Sequence, residues 1–174
     1  MTLAGDRARW RPAYVGMGSN LDEPRGQLEK AAQALGRLPD TRLVTLSPFY
    51  RSAPMGPAGQ PDYVNAVAAL LTELSPHGLL AELQRVEQSQ GRIRNGVRWG
   101  PRTLDLDLLV FGTEEIDDAE LTVPHPGIAE RSFVLFPWRD IAPHLVIPAR
   151  GSVSELARRL DADPSTIERI EDRS

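Results

Sequence analysis

GRIRNGVRWGPRTLDLDLLVF, residues 91–111, opens as a glycine- and arginine-rich loop and closes as an alternating strand. The strand half carries Asp105 and Asp107, two residues apart. Successive side chains on a strand point to opposite faces, so both carboxylates share one face. Leu104, Leu106, Leu108 and Val110 are expected on the other, packed into a core. With a rise of about 3.3 Å per residue the two carboxylates stand roughly 7 Å apart. Their repulsion is about 2 kcal/mol at an effective dielectric near 20. A half-buried strand carrying such a pair calls for a cation. Arg92, Arg94, Arg98 and Arg102 lie just upstream and are suited to a polyphosphate, which arrives with one.

Working outward, the chain before this stretch alternates strands and helices. Residues 13–18 (AYVGMG) read as a short strand. Asp22 is a candidate N-cap with Pro24 in the first turn. Leu28, Ala31, Ala32, Leu35 and Leu38 then recur at helical spacing, giving a helix over residues 23–37. Residues 42–52 are β-rich, with Pro48 marking a bulge or an edge. A Pro/Gly loop, residues 53–62, leads into a long strand, residues 63–74. There Tyr63, Asn65 and Val67 share one face, opposite Val64, Ala66 and Ala68. Ser75 and Pro76 start a second helix, whose stripe of Leu79, Leu80, Leu83, Val86 and Gln90 runs to a C-cap at Gly91. After the central stretch come a helix over residues 128–136, a turn over 137–141 and a last amphipathic helix over 152–160. The order strand, helix, strand, strand, helix, strand is the ferredoxin-like βαββαβ arrangement, an α+β fold with an antiparallel sheet. The extra C-terminal helices then cover the second face, as a three-layer α/β/α sandwich. One domain over residues 13–160 is expected, with a loose leader (1–12) and a polar tail (161–174).

Composition narrows the function. A net charge of −4 argues against a general nucleic-acid binder. The absence of cysteine excludes thiolate catalysis and Cys-based zinc sites. No apolar run is long enough to cross a bilayer, and residues 1–12 have no apolar core for a signal peptide. A cytoplasmic protein is the expectation. A bare aspartate pair is also what a solvated strand or an arginine ion pair produces, and an arginine-rich loop is often only a solvated surface. Together they match a metal–triphosphate: Mg²⁺ is commonly held by one or two carboxylates plus substrate phosphates, with guanidinium groups clamping the transferred group. Trp99, inside the loop, reads as a core anchor or a lid over a flat ligand, and the Gly/Arg-rich setting favours the lid. Tyr63 and Asn65 suit a planar heterocycle, a ring contact plus an amide that reads donor and acceptor edges. His125, between prolines and near Arg131, has no metal-ligand companion at helical spacing and is a candidate phosphate donor. Residues 16–20 (GMGSN) lack the full phosphate-loop pattern.

Four segments carry a resemblance: YVGMGSNL (14–21), SPFYRSAPMGPAGQPDYVNAV (47–67), QRVEQSQGRIRNGVRWGPRTLDLDLLVFG (84–112) and LTVPHPGIAERSFVLFP (121–137). In that order they resemble the 6-hydroxymethyl-7,8-dihydropterin pyrophosphokinase family of folate biosynthesis. The resemblance implies transfer of pyrophosphate from ATP to 6-hydroxymethyl-7,8-dihydropterin, giving AMP and the pterin diphosphate. It implies two Mg²⁺ ions on Asp105 and Asp107, with Arg92 and Arg102 as the catalytic clamp. It implies an ATP side of Gln84, Glu87, Arg92, Arg94, Arg98, Arg102, Leu108, Thr122, His125 and Arg131. The implied pterin side is Ser52, Pro54, Met55, Tyr63, Asn65, Trp99 and Phe133, with Tyr63 and Phe133 sandwiching the ring. A monomer without nucleic-acid or membrane partners is expected. Asn95 stands where that family often has lysine, and Pro126 where an aromatic is common. A nucleotide-sensing regulatory domain and an RNA-binding module of the same fold are the competing readings. Neither accounts for two aspartates beside the arginines.

Overall fold

The computed structural model describes residues 9–54, 58–91, 104–160 and 162–171. β1 (Arg11–Ser19) lies between β4 (Tyr63–Thr72) and β5 (Asp105–Phe111), antiparallel to both. β2 (Thr41–Leu46) and β3 (Tyr50–Ser52) both pair with β4, against its C-terminal and N-terminal parts respectively. Between them Pro48 has no N–H for the ladder. Ser47 repairs the gap: its N–H donates to Val67 O (2.9 Å) and its hydroxyl accepts from Val67 N–H (2.8 Å). The interruption expected at Pro48 is therefore present, and it leaves β4 paired on either side of it.

α1 (Pro24–Leu35) and α2 (Pro76–Ser89) pack on one face of the sheet. Leu28, Ala31, Leu35, Leu79 and Leu83 meet Ala13, Val15, Met17, Ala66, Ala68 and Leu70 there. α3 (Ser132–Ile141) and α4 (Val153–Arg158) cover the other face, where Leu135, Trp138 and Leu156 meet Tyr50, Val67, Leu109 and Val110. The result is the expected ferredoxin-like core inside an α/β/α sandwich. Ser75 caps α2 as its sequence indicates, accepting from Gly78 N–H at 3.0 Å. Two short hairpins complete the chain: β6 (Ile116–Asp117) with β7 (Thr122–Val123), and β8 (Val146–Ile147) with β9 (Gly151–Ser152). Among the described residues no helix is long and apolar enough to cross a membrane.

Several expectations are corrected. Val110 does not join Leu104, Leu106 and Leu108. A register shift pairs Tyr14 with Val110 but Val15 with Leu108, leaving Leu109 as an extra residue. That bulge turns Leu109 and Val110 both toward α3 and restores Phe111 to the α1/α2 side. Asp22 does not cap α1: the N-cap position is Glu23, both residues have positive φ, and no side chain caps the helix. At the end of α2, Gln90 takes the C-cap and Gly91 follows at φ 86°. α3 continues through Pro137 instead of turning, since Pro137 is buried among the residues that hold the helix on the sheet. The leader is structured from Arg11, which pairs with Thr72. The expected tail supplies β10 (Ile167–Arg169), an edge strand on β3 anchored by buried Ile167.

Candidate active site

A pocket opens on the α3 face of the sheet, with about 640 Å³ of empty space including its open mouth. Its floor is Gly16 and Gly18, alternate residues of the central strand β1, whose missing side chains make the depression. A Cβ at Gly18 would come within 3.3 Å of Asn65 Oδ1, and one at Gly16 within 3.3 Å of the Leu109 side chain. Register sets the walls. Gly18 is paired with Asn65 of β4 on one side and Asp105 of β5 on the other, and Gly16 with Val67 and Asp107. The polar amide and the acidic pair thus face each other across a glycine strand. Tyr63, Ser52 and Ala53 extend the amide wall; Arg131, Phe133 and Val134 come over from the α3 segment.

Each polar wall is held. Asn65 is buried, and its Nδ2 donates to Ser52 Oγ at 2.7 Å, which orients the amide toward the floor. Asp107 Oδ2 lies 3.7 Å from Arg131 Nη1. β5 is a sheet edge, and Leu106, between the two aspartates, turns its N–H outward. Glu87 of α2, itself only 2% exposed, accepts that N–H at 2.9 Å. A buried carboxylate therefore pins the strand that carries Asp105 and Asp107. His125 lies along the same edge: its N–H donates to Leu109 O at 2.8 Å, and its Nδ1 accepts from Gly127 N–H at 3.1 Å. That bond leaves the neutral ring protonated on Nε2. Burial pushes the His125 imidazole down to about 4; Arg131 and Arg150 push the same way and Asp105 opposes them.

Asp105 and Asp107 fit a hard divalent cation in donor type and placement: two half-exposed carboxylates on one strand face, opening into a pocket. Among the described residues no third acidic or histidine side chain joins them. A Mg²⁺ ion held there would need oxygens from a substrate.

The pocket brings together Ser52, Tyr63, Asn65, Asp105, Asp107, Arg131 and Phe133 from the sequence-derived set. Gln84, Glu87, Leu108, Thr122 and His125 do not line it. Leu108 is buried against α2, and Thr122 Oγ1 donates to Asp117 Oδ1 at 3.3 Å. Pro54 is half-buried beside the pocket, with Ala53 on the wall instead. Met55, Arg92, Arg94, Arg98, Trp99 and Arg102 lie outside the described residues, as does Asn95. Sequence reading missed the role of Gly16 and Gly18. Their spacing of two on the strand expected over residues 13–18 was the available signal.

The 7,8-dihydro-6-hydroxymethylpterin-pyrophosphokinase family pattern matches residues 14–143, which span every wall of this pocket. The chain belongs to that family. As a pyrophosphokinase it is 52% identical over 147 residues to the 2-amino-4-hydroxy-6-hydroxymethyldihydropteridine pyrophosphokinase of Haemophilus influenzae, covering 84% of this chain and 91% of the relative. The Pseudomonas aeruginosa pyrophosphokinase of the same name is 54% identical over 143 residues, covering 82% of this chain and 88% of that one. Among solved structures, wild-type Plasmodium falciparum HPPK-DHPS with pteroate matches at a TM-score of 0.68 and 11% identity. The match covers 87% of this chain and 42% of that one, and it supports the fold alone. The β8–β9 hairpin, α4 and β10 lie beyond the residues that the family pattern matches.

Proposed function

We propose that this pyrophosphokinase transfers the terminal pyrophosphoryl group of ATP to the hydroxyl of 6-hydroxymethyl-7,8-dihydropterin. The hydroxyl oxygen bonds to the β-phosphorus, the bond from that phosphorus to the α-phosphate bridging oxygen breaks, AMP leaves, and the hydroxyl proton is released. The observation that carries this reading is the pairing across Gly18: an amide and aromatic wall on one side, two carboxylates on the other. A planar heterocycle seated on Asn65 and between Tyr63 and Phe133 directs a substituent toward Asp105 and Asp107.

Asp105 and Asp107 would hold two Mg²⁺ ions, whose chemistry is to neutralise the triphosphate. Asn65, fixed by Ser52, reads the donor and acceptor edge of the ring. Arg131, 3.7 Å from Asp107, stands where negative charge shifts during transfer. Arg92 and Arg102 clamp the transferring phosphates, with Arg94 and Arg98 on the ATP side and Trp99 on the pterin side. Gln84, Glu87, Leu108, Thr122 and His125 complete the nucleotide side. Such a step draws its rate from positioning and charge neutralisation, with little demand for a general base. The reading takes the protein as a cytoplasmic monomer acting on small molecules.

The test is direct. Protein, Mg²⁺, ATP and 6-hydroxymethyl-7,8-dihydropterin are combined, and AMP and pterin diphosphate are followed by chromatography. Equimolar formation of both is expected. ATP consumption that yields ADP, or no consumption, would overturn the reading.

A further inference from the structure

Arg150 is a cation without an assigned task. It sits in the turn of the β8–β9 hairpin, beyond the family-matched residues. The turn is tightly made: Arg150 N–H donates to Ile147 O at 3.0 Å, with Ala149 at φ 61° and Gly151 at φ 111° on either side. A non-glycine residue in the left-handed region costs about 1 kcal/mol, so a structured turn here is maintained against strain. Buried Ile147 and Val153 fasten the hairpin to the α3/α4 core. Arg150 is thereby presented from a rigid base.

Its guanidinium reaches back to the turn that follows His125. Arg150 Nη1 lies 3.5 Å from Pro126 O. The next residue, Gly127, lies under the Arg131 guanidinium, so close that a Cβ there would meet Arg131 Nε at 2.7 Å. Two arginines from separate elements thus bracket the turn that follows His125, and Arg131 reaches on to Asp107. Among the described residues Arg150 has no carboxylate partner. Glu155 is near, its carboxylate approaching the Cβ position of Gly151, but it makes no ion pair with Arg150. Arg150 is a half-buried guanidinium whose partner is a backbone carbonyl, a group suited to a polyanion.

We propose that Arg150 binds the phosphate chain of the nucleoside triphosphate, acting with Arg131 as a two-arginine cradle around the residue 125–127 turn. The proposal rests on the function given above. It extends that reading to a hairpin outside the family pattern and adds a phosphate contact where Pro126 brings only a backbone carbonyl and an apolar ring.

Equilibrium binding separates the two. Wild type, Arg150→Ala and Arg150→Lys are titrated with a non-hydrolysable Mg-nucleoside triphosphate, with adenosine and with 6-hydroxymethylpterin, and melted to verify folding. Losing one charge-assisted contact weakens triphosphate affinity about tenfold. Arg150→Ala is expected to show that loss with adenosine and pterin binding unchanged, Arg150→Lys an intermediate loss, and wild type the steeper decline in affinity with added salt. In turnover the Arg150→Ala change appears in KM for the nucleotide and not in KM for the pterin. Equal triphosphate affinity in a folded Arg150→Ala protein refutes the proposal. So does a loss of the same size for all three ligands, which marks a structural role. Should Arg150→Ala melt early, the Arg150→Lys and Arg150→Gln pair makes the same distinction at lower amplitude. Because binding is read without turnover, a wild type that binds triphosphate but makes no pterin diphosphate overturns the function and leaves Arg150 judged on its own.

Discussion

His125 gives a pH prediction whose sign follows from its surroundings. Burial and the neighbouring Arg131 and Arg150 lower its folded pKa from 6.5 to about 4, against the opposing pull of Asp105. The unfolded chain takes up a proton on this ring between those values and the folded chain does not. Stability therefore falls as pH drops from about 6.5 toward about 4, and His125 contributes no slope above that window. The full displacement corresponds to about 3 kcal/mol, and because the ring is only half-buried the realised effect is about 2 kcal/mol. For a domain of this size that is roughly 4–8 °C in Tm. His125→Asn is the matched control: its amide oxygen replaces Nδ1 as acceptor for Gly127 N–H and does not titrate. Urea or thermal unfolding of both proteins from pH 4 to 8 is the assay. The wild type is expected to lose stability relative to His125→Asn as pH falls, and its imidazole C2 proton to titrate well below 6 by NMR. Parallel curves for the two proteins, or a ring titrating near 6.5, would refute the assigned burial and charge geometry.

Asp105→Ala and Asp107→Ala should each lower turnover by about a thousandfold or more with little change in Tm, since the lost partner is a bound cation; near-normal kcat in either variant removes the metal role. Gly18→Ala places a methyl 3.3 Å from Asn65 Oδ1, which the Ser52 hydrogen bond holds in place. KM for the pterin should rise about tenfold or more, whereas Gly16→Ala meets a movable leucine end and acts mainly on stability; steady-state kinetics with melting curves decide between them. Glu87→Ala strips the buried Leu106 N–H of its acceptor and should cost about 2 kcal/mol in chemical denaturation, with Glu87→Gln retaining much of it. Equal stability of the two variants would show that the carboxylate does not pin β5.

The core was legible where one physical rule governs one element. Period-two alternation put Asp105 with Asp107 and Tyr63 with Asn65 on common faces, and helical spacing named Leu28, Leu35, Leu79 and Leu83 as core residues. Those rules fail where a residue's partner is distant in sequence. Nothing in LDLDLLVF announces the bulge at Leu109, because the extra residue is defined only by its pairing with β1. The short, polar Ile167–Arg169 segment has no strand signature of its own; it becomes a strand because β3 offers an unpaired edge. Pro137 marks a helix end locally, yet α3 runs through it since its burial against the sheet outweighs a lost backbone bond.

The order of elements, the acidic pair, the arginine-rich stretch and the aromatic and amide residues were therefore properties of the chain alone, each readable from local periodicity and chemistry. Which of them meet was decided in three dimensions. Antiparallel pairing of β1 with both β4 and β5 sets Asn65 and Asp105 on either side of Gly18. The α3 layer adds Arg131 and Phe133, and the β8–β9 hairpin turns Arg150 toward the same turn as Arg131. The reason is register: side-chain type is written at each position, but strand pairing and layer packing choose its neighbours.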